Sequence, residues 1–116
     1  MKVVFNKYIP FRGFIAFNFF GIVFVRESAK MSYQYRKAVI DNHEMIHTAQ
    51  MKELLYIFFY ILYGLSWLFN IIRYRFNTKK AYKMIVFERE AYEYEEYLYY
   101  LECRTHFYWF KYIFHK

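Results

Sequence analysis

At 116 residues and 14.7 kDa, with 59% hydrophobic and 28% aromatic residues, the chain is too short for two cores and too apolar for disorder. Three glycines and one proline exclude a collagen-like chain and argue against a turn-rich β-sandwich, while the single Cys103 excludes an intrachain disulfide framework or a Cys-rich metal cluster. The formal charge of +7 favours an anionic partner, and 15 Tyr plus 15 Phe exceed what so small a core hides, so apolar surface is expected to meet lipid or another subunit.

From Val3 to Val25 the apolar residues are aromatic and β-branched, punctuated by Gly13 and Gly21, and read as one or two strands. The run from Gly13 to Val25, behind Lys2, Lys7 and Arg12, has the length of a signal-peptide core. It contains Asn18, however, and no small-x-small cleavage site follows, so an uncleaved strand pair is the better reading. Arg26 to Lys37 is polar and aperiodic and reads as a loop. Asp41 or Asn42 can cap a helix that runs on through Ile72, either as one piece of roughly 45 Å or as two with a break near Gly64. Its second part, Leu54 to Ile72, holds 19 residues without a formal charge, near the length that crosses a hydrocarbon core. Arg73, Arg75, Lys79, Lys80 and Lys83 follow, the kind of basic flank found where a helix leaves lipid. The last segment, Lys79 to Tyr100 and on toward Phe114, reads as a Tyr-rich helix carrying Glu88, Glu90, Glu93, Glu95 and Glu96.

His43-Glu44-Met45-Ile46-His47 is an HExxH motif. On a helix the two imidazoles, at i and i+4, lie one turn apart on the same face and can share one tetrahedral Zn²⁺. Glu44 then projects beside the open coordination position, where it can take a proton from an activated water as general base. A helix that happens to carry two surface histidines would show the same pattern.

A third protein ligand is required, and the strongest candidate is Glu88 in Phe87-Glu88-Arg89-Glu90-Ala91-Tyr92. Here the chain resembles the gluzincin metallopeptidases, in which HExxH is completed by a Glu on a later helix, often within E-x-x-A-D. The match fails at the last position, where Tyr92 replaces an acid that orients a ligating His, and its hydroxyl is a weaker acceptor. The extended pattern His43-Glu44-x-x-His47-x-x-Gln50, followed by Glu53, also resembles small bacterial zincin-like proteins. Glu90 is the runner-up ligand. Two residues turn a helix by about 200°, so Glu88 and Glu90 cannot both face the ion, and the other is expected in solvent. Glu93, Glu95, Glu96 and Glu102 read as a solvated face, Asp41, Gln50 and Glu53 as possible supports for the histidines, and His106 or a tyrosine as an oxyanion donor. His115 reads as exposed and inert, and Cys103 as a small buried hydrophobe.

The fold class expected is α+β and mostly helical, a single domain over 1–116: an N-terminal β-hairpin, a long HExxH helix, an apolar helix or helical hairpin, and a Glu-bearing C-terminal helix. A straight transmembrane pass from Leu54 to Ile72 would put His47 and Glu88 on opposite sides of the bilayer. A hairpin bent at Gly64-Leu65-Ser66, or a helix lying along the interface, reconciles the two. The function expected is that of a membrane-associated zinc metallopeptidase at the bacterial inner membrane, acting on peptide or protein, with His43, His47 and Glu88 on the metal and Glu44 as catalytic base. The alternative is a non-catalytic, zinc-stabilised membrane interaction module; a homo-oligomer could bury the aromatic face instead. Nucleic acid is disfavoured, because the cations cluster beside the most apolar segment.

Overall fold

The computed structural model describes residues 2–9 and 14–114, and shows an α+β, mostly helical chain; Arg12, Gly13 and His115, named above, lie outside the described residues. Three strands come first, β1 (Lys2–Asn6), β2 (Ala16–Phe19) and β3 (Ile22–Arg26), in the order β1-β3-β2, with β1 parallel and β2 antiparallel to the central β3. The expected hairpin is β2–β3, and β1 is a third strand beyond it. Asn6 ends β1: its side-chain carbonyl accepts from the N–H groups of Tyr8 (2.9 Å) and Ile9 (2.6 Å), an Asx turn that stops the ladder. Phe20 and Gly21 make the hairpin turn with φ of 52° and 92°, as a two-residue turn of the twist-matched type requires. The Tyr60 hydroxyl clamps that turn, accepting from Phe20 N–H (2.9 Å) and donating to the Asn18 carbonyl (3.0 Å). Alternation along β3 buries Val23 and Val25.

The segment Arg26–Lys37 is not a loop. A 3₁₀ turn (Glu27–Ala29) leads into α1 (Lys30–Tyr35), held by one anchor, Tyr33, which packs on Val23 and Val25 and donates to Asp41 Oδ1. A single buried residue in six leaves no periodicity to read. Helix α2 (Lys37–Glu53) therefore starts upstream of the expected caps. Asp41 lies inside it, paired with Lys37 (2.6 Å), and Asn42 sends its amide across to the carbonyls of Tyr94, Glu95 and Tyr97. The face α2 buries is largely polar, with Asn42, His43, Glu44, His47 and Gln50 beside Ile46 and Met51, so hydrophobic periodicity is weak where burial is greatest.

The break between the two long helices falls at Leu54–Tyr56 rather than at Gly64. Leu55 (φ 55°) and Tyr56 (φ 63°) turn the chain through 112°, and Tyr56 N–H returns to the Met51 carbonyl (2.7 Å). Gly64 sits inside α3 (Ile57–Arg73) with nothing within 4 Å of where its Cβ would be, so no close approach requires it. The elbow swings Phe59 into the core formed by Met51, Ile85, Phe87 and Trp109. Helix α3 has 17 residues, about 25 Å, and among the described residues no single helix is long and apolar enough to cross a membrane.

The last segment is four short pieces instead of one helix: α4 (Thr78–Lys83), α5 (Val86–Tyr94), α6 (Tyr100–Cys103) and a closing 3₁₀ turn (Tyr108–Ile113). Asn77 caps α4 by accepting from Lys80 N–H (3.2 Å), and the extended Ile85, fully buried, redirects the chain so that α5 packs between α2 and the closing turn.

Candidate metal centre

Helix α2 presents His43 and His47 one turn apart, and the first turn of α5 brings Glu88 between them. Both imidazole Nε2 atoms lie 3.1 Å from the same oxygen, Glu88 Oε1, and all three residues are buried. The three donor atoms lie within 4.8 Å of one another. A four-coordinate ion with bonds of about 2.0–2.1 Å spaces its ligands by about 3.3 Å, so this group fits a metal ion. The position of Glu88 at a helix N-terminus also favours its negative charge. Burial works against ionisation of Glu88, but the charges of His47 and His43 and their hydrogen bonds outweigh it and hold the carboxyl well below the usual range. Burial likewise lowers His43, yet hydrogen bonds to Glu88 and Glu95 push it up to about 10, and Glu88 raises His47 in the same way. A raised proton affinity at two rings whose inner nitrogens share one buried carboxylate suits a donor set that can hold a cation.

The opposite edge of each ring is fixed. His43 Nδ1 donates to Glu95 Oε1 (2.8 Å), and His47 Nδ1 donates to Gln50 Oε1 (2.8 Å). Each imidazole is thereby oriented with Nε2 toward the shared oxygen. The Gln50 amide has one sensible orientation, because its NH₂ faces only acceptors, the Phe87 carbonyl (3.1 Å) and Glu90 Oε1 (2.9 Å). Arg104 then closes the chain of contacts, reaching Glu90 through Nε (2.6 Å) and Glu53 through Nη2 (2.9 Å).

Several expectations change here. Glu90 is neither a ligand nor solvated: it is fully buried against Gln50, Arg104 and Tyr100, because the 200° that separates it from Glu88 faces it toward the protein's other side. Glu95 leaves the solvated face for His43 and takes the orienting role that Tyr92 was expected to fill weakly; Tyr92 instead sets its ring edge on His43, centroids 4.7 Å apart. Glu93, Glu96 and Glu102 are exposed as expected. Of the suggested supports, Gln50 meets His47, Glu53 holds Arg104, and Asp41 faces Lys37 and Tyr33. The His106 side chain is 89% exposed beside Glu53, and Cys103 is exposed rather than buried.

Sequence reasoning missed Arg104, Tyr63 and Asn18. Tyr63 donates to Glu88 Oε2 (2.5 Å) from α3. Asn18 donates to the Glu44 carbonyl (2.8 Å) and Thr48 Oγ1 (2.9 Å), fastening β2 to the motif helix. Glu95 carried a signal, since seven residues, two helical turns, set it on the same face as Glu88; the others carried none.

Glu44 is buried between two cavities. One, of about 230 Å³, is lined by Phe17, His47, Phe59, Tyr63, Trp67 and Glu88; the other, of about 170 Å³, by His43, Tyr82, Tyr92 and Glu95. Ala16 of β2 borders both. Burial raises the Glu44 carboxyl, with the neighbouring histidines pulling the other way. A larger cavity of about 340 Å³ lies between α3, α5 and the closing turn, and none of the three donors lines it. Comparison of the chain with known protein families, curated proteins and solved structures finds no match, so the centre stands on its own geometry: a buried His43-His47-Glu88 group able to hold a metal ion.

Proposed function

We propose that this protein is a membrane-associated zinc metallohydrolase, most simply a peptidase, in which His43, His47 and Glu88 hold the ion and Glu44 is the general base. The observation that carries the reading is the pair of Nε2 atoms aimed at one carboxylate oxygen with both Nδ1 atoms already committed to acceptors. A mixed imidazole–carboxylate set with three protein donors suits zinc and leaves a position open. Bound there, zinc would supply Lewis acidity toward a carbonyl oxygen and toward water. The work of the chain is proton transfer and orientation. Glu44, its proton affinity raised by burial, accepts the proton of the attacking water and delivers it to the leaving amine as the C–N bond breaks. Tyr63 donates its hydroxyl proton to Glu88 Oε2 and so holds the carboxylate ligand in place from the cleft side.

The substrate path follows from β2. It is an edge strand, and Asn18 turns its carbonyl outward to Tyr60, so by alternation Ala16 also faces its N–H and C=O away from β3. Ala16 lies between the two cavities that flank Glu44, which favours an extended peptide added along that edge. The non-catalytic module would need a fourth protein ligand. Glu90, the runner-up ligand, is spent on Arg104 and Gln50, and His106 faces solvent, which favours the open site.

The test is zinc content and turnover of a fluorogenic peptide mixture by the detergent-purified protein. His43→Ala, His47→Ala and Glu88→Ala should lose zinc. Glu44→Gln should keep it and lose at least about 10²-fold in turnover. Zinc lost from Glu44→Gln, or turnover kept by it, overturns the assignment.

A further inference from the structure

The outer side of α3 is largely open to solvent. Ile57, Ile61, Leu65, Leu68, Phe69 and Ile72 are each more than half exposed, and their spacing joins them into one strip along the helix. At its C-terminal end Arg73, Arg75, Lys79, Lys80 and Lys83 are all exposed, and the sequence has no acid from Leu54 to Phe87. The whole chain exposes 8074 Å², where about 6,900 Å² is usual for a monomer of this mass.

The strip shares an edge with the metal cleft. Tyr60, Tyr63 and Trp67 line the cleft, and Ile57, Gly64 and Leu68 stand within about 100° of Tyr60 and Trp67 round the same helix. From the cleft mouth an aromatic ledge runs back to the elbow: Phe17 to Phe19 (6.2 Å between centroids), Phe19 to Phe20 (4.7 Å), Phe20 to Tyr56 (5.9 Å). Phe17, Phe19, Phe20 and Trp67 are all partly open to solvent.

We propose that the outer face of α3 seats this protein in the interfacial layer of an anionic bilayer, with the mouth of the metal cleft open to that layer, so that the group reaching the metal belongs to an apolar chain held by the membrane. A helix of about 25 Å, apolar along one side and cationic at one end, suits the plane of the interface better than a crossing. A second copy fits less well. A symmetric pair would lay the same acid-free surface on itself and leave the cations without an opposite charge, whereas an anionic bilayer offers acyl chains to the strip and headgroups to the cations. Trp67 on the cleft rim, and Tyr56 and Tyr60 beside it, then sit at the depth that amphipathic rings favour. The identity of the substrate, unlike the seating, rests on the hydrolase reading.

Sedimentation with phosphatidylcholine vesicles, with and without phosphatidylglycerol, tests the seating. The wild type should bind the anionic vesicles and be released by salt. Lys79→Ala/Lys80→Ala should lower the partition coefficient roughly 30-fold. Leu65→Glu/Leu68→Glu should lower it at least about tenfold, with zinc content unchanged. Brominated lipid should quench tryptophan fluorescence in the wild type and not in Trp67→Phe. Glu44→Gln should bind and be quenched like the wild type, which separates the seating from the chemistry. No vesicle binding, a dimer abolished by Leu65→Glu/Leu68→Glu in place of lipid binding, or binding without Trp67 quenching overturns the proposal. For the substrate, a myristoyl hydroxamate in the same vesicles should slow chelator extraction of zinc at least about tenfold relative to acetohydroxamate. Equal extraction rates overturn that part, and a protein without zinc fails the hydrolase reading alone.

Discussion

An imidazole can serve a metal through either nitrogen, so its value as a ligand depends on what holds the other one. His43 and His47 have different holders, a carboxylate from the end of α5 and an amide from their own helix, and both leave Nε2 facing Glu88. Removing a holder leaves the ligand in place and frees its ring. Gln50→Ala and Glu95→Ala are each expected to weaken metal binding about 10- to 100-fold, measured by competition with a chromophoric chelator, while His43→Ala abolishes it. Acid should weaken the wild type further, because protons compete for the same lone pairs and His43 holds its proton up to about pH 10 without a metal. Affinity should therefore still climb from pH 6 to pH 9, and a flat profile would mean that the rings are not the donors. The histidines were legible because helical spacing and residue chemistry name them, and Glu88 because its Glu88-Arg89-Glu90-Ala91 context resembles that of the gluzincins. Glu90 was not, since one acid two residues from another looks like surface until Arg104, distant in sequence, arrives to bury it.

At the level of the helix, the turn between α2 and α3 is set by packing rather than by local propensity. Propensity alone would break the chain at Gly64, yet Leu55 and Tyr56 take positive φ, Tyr56 at the centre of a tight turn closed by Ile57 N–H to the Leu55 carbonyl (2.7 Å), at a cost of about 1–3 kcal/mol each, and the chain thereby brings Phe59 onto Met51 and Phe87 and Tyr63 onto Glu88. Gly64 is left as an ordinary interior glycine with free space around it. Gly64→Ala should then stabilise the protein by about 0.5–1 kcal/mol, read as a shifted urea midpoint with an unchanged slope. A destabilised Gly64→Ala would show that the helix needs the glycine to bend. The strand-rich start, the motif helix and the long apolar helix could be read from apolar patterning, whereas α1, the third strand and the breaks in the last segment could not. Nor could boundaries. α1 hangs on one tyrosine, and α5 starts where a buried isoleucine is needed, neither of which leaves a periodic trace.

For the molecule as a whole, Arg104 ties the C-terminal end of the chain to both the motif helix and α5. Its side chain, 4% exposed, bridges Glu53 at the end of α2 to Glu90 on α5, and Glu53 also accepts from Trp109 in the core. Such a group stabilises mainly by being complete, and loss of one member strands the others in a poorly solvating interior. Arg104→Met should cost about 3–5 kcal/mol at pH 7 and, by loosening Glu90 and Gln50, weaken metal binding as well. The pH dependence fixes the cause. Burial raises the Glu53 carboxyl, but the bonds to Arg104 and to the Phe107 N–H outweigh that and hold it below its ordinary value. The folded wild type thus binds fewer protons here than the unfolded chain. Its contribution is in full force above about pH 4.3, the unfolded value, and is lost as the pH falls through the lower folded value. Without Arg104 only the Phe107 and Trp109 N–H groups oppose the burial of the Glu53 carboxylate, so acid relieves the variant while it weakens the wild type. Urea unfolding of the two proteins should show a gap that is wide at pH 7 and closes toward pH 3. A gap independent of pH would assign the loss to the packing of the arginine side chain and remove the charge bridge from the account.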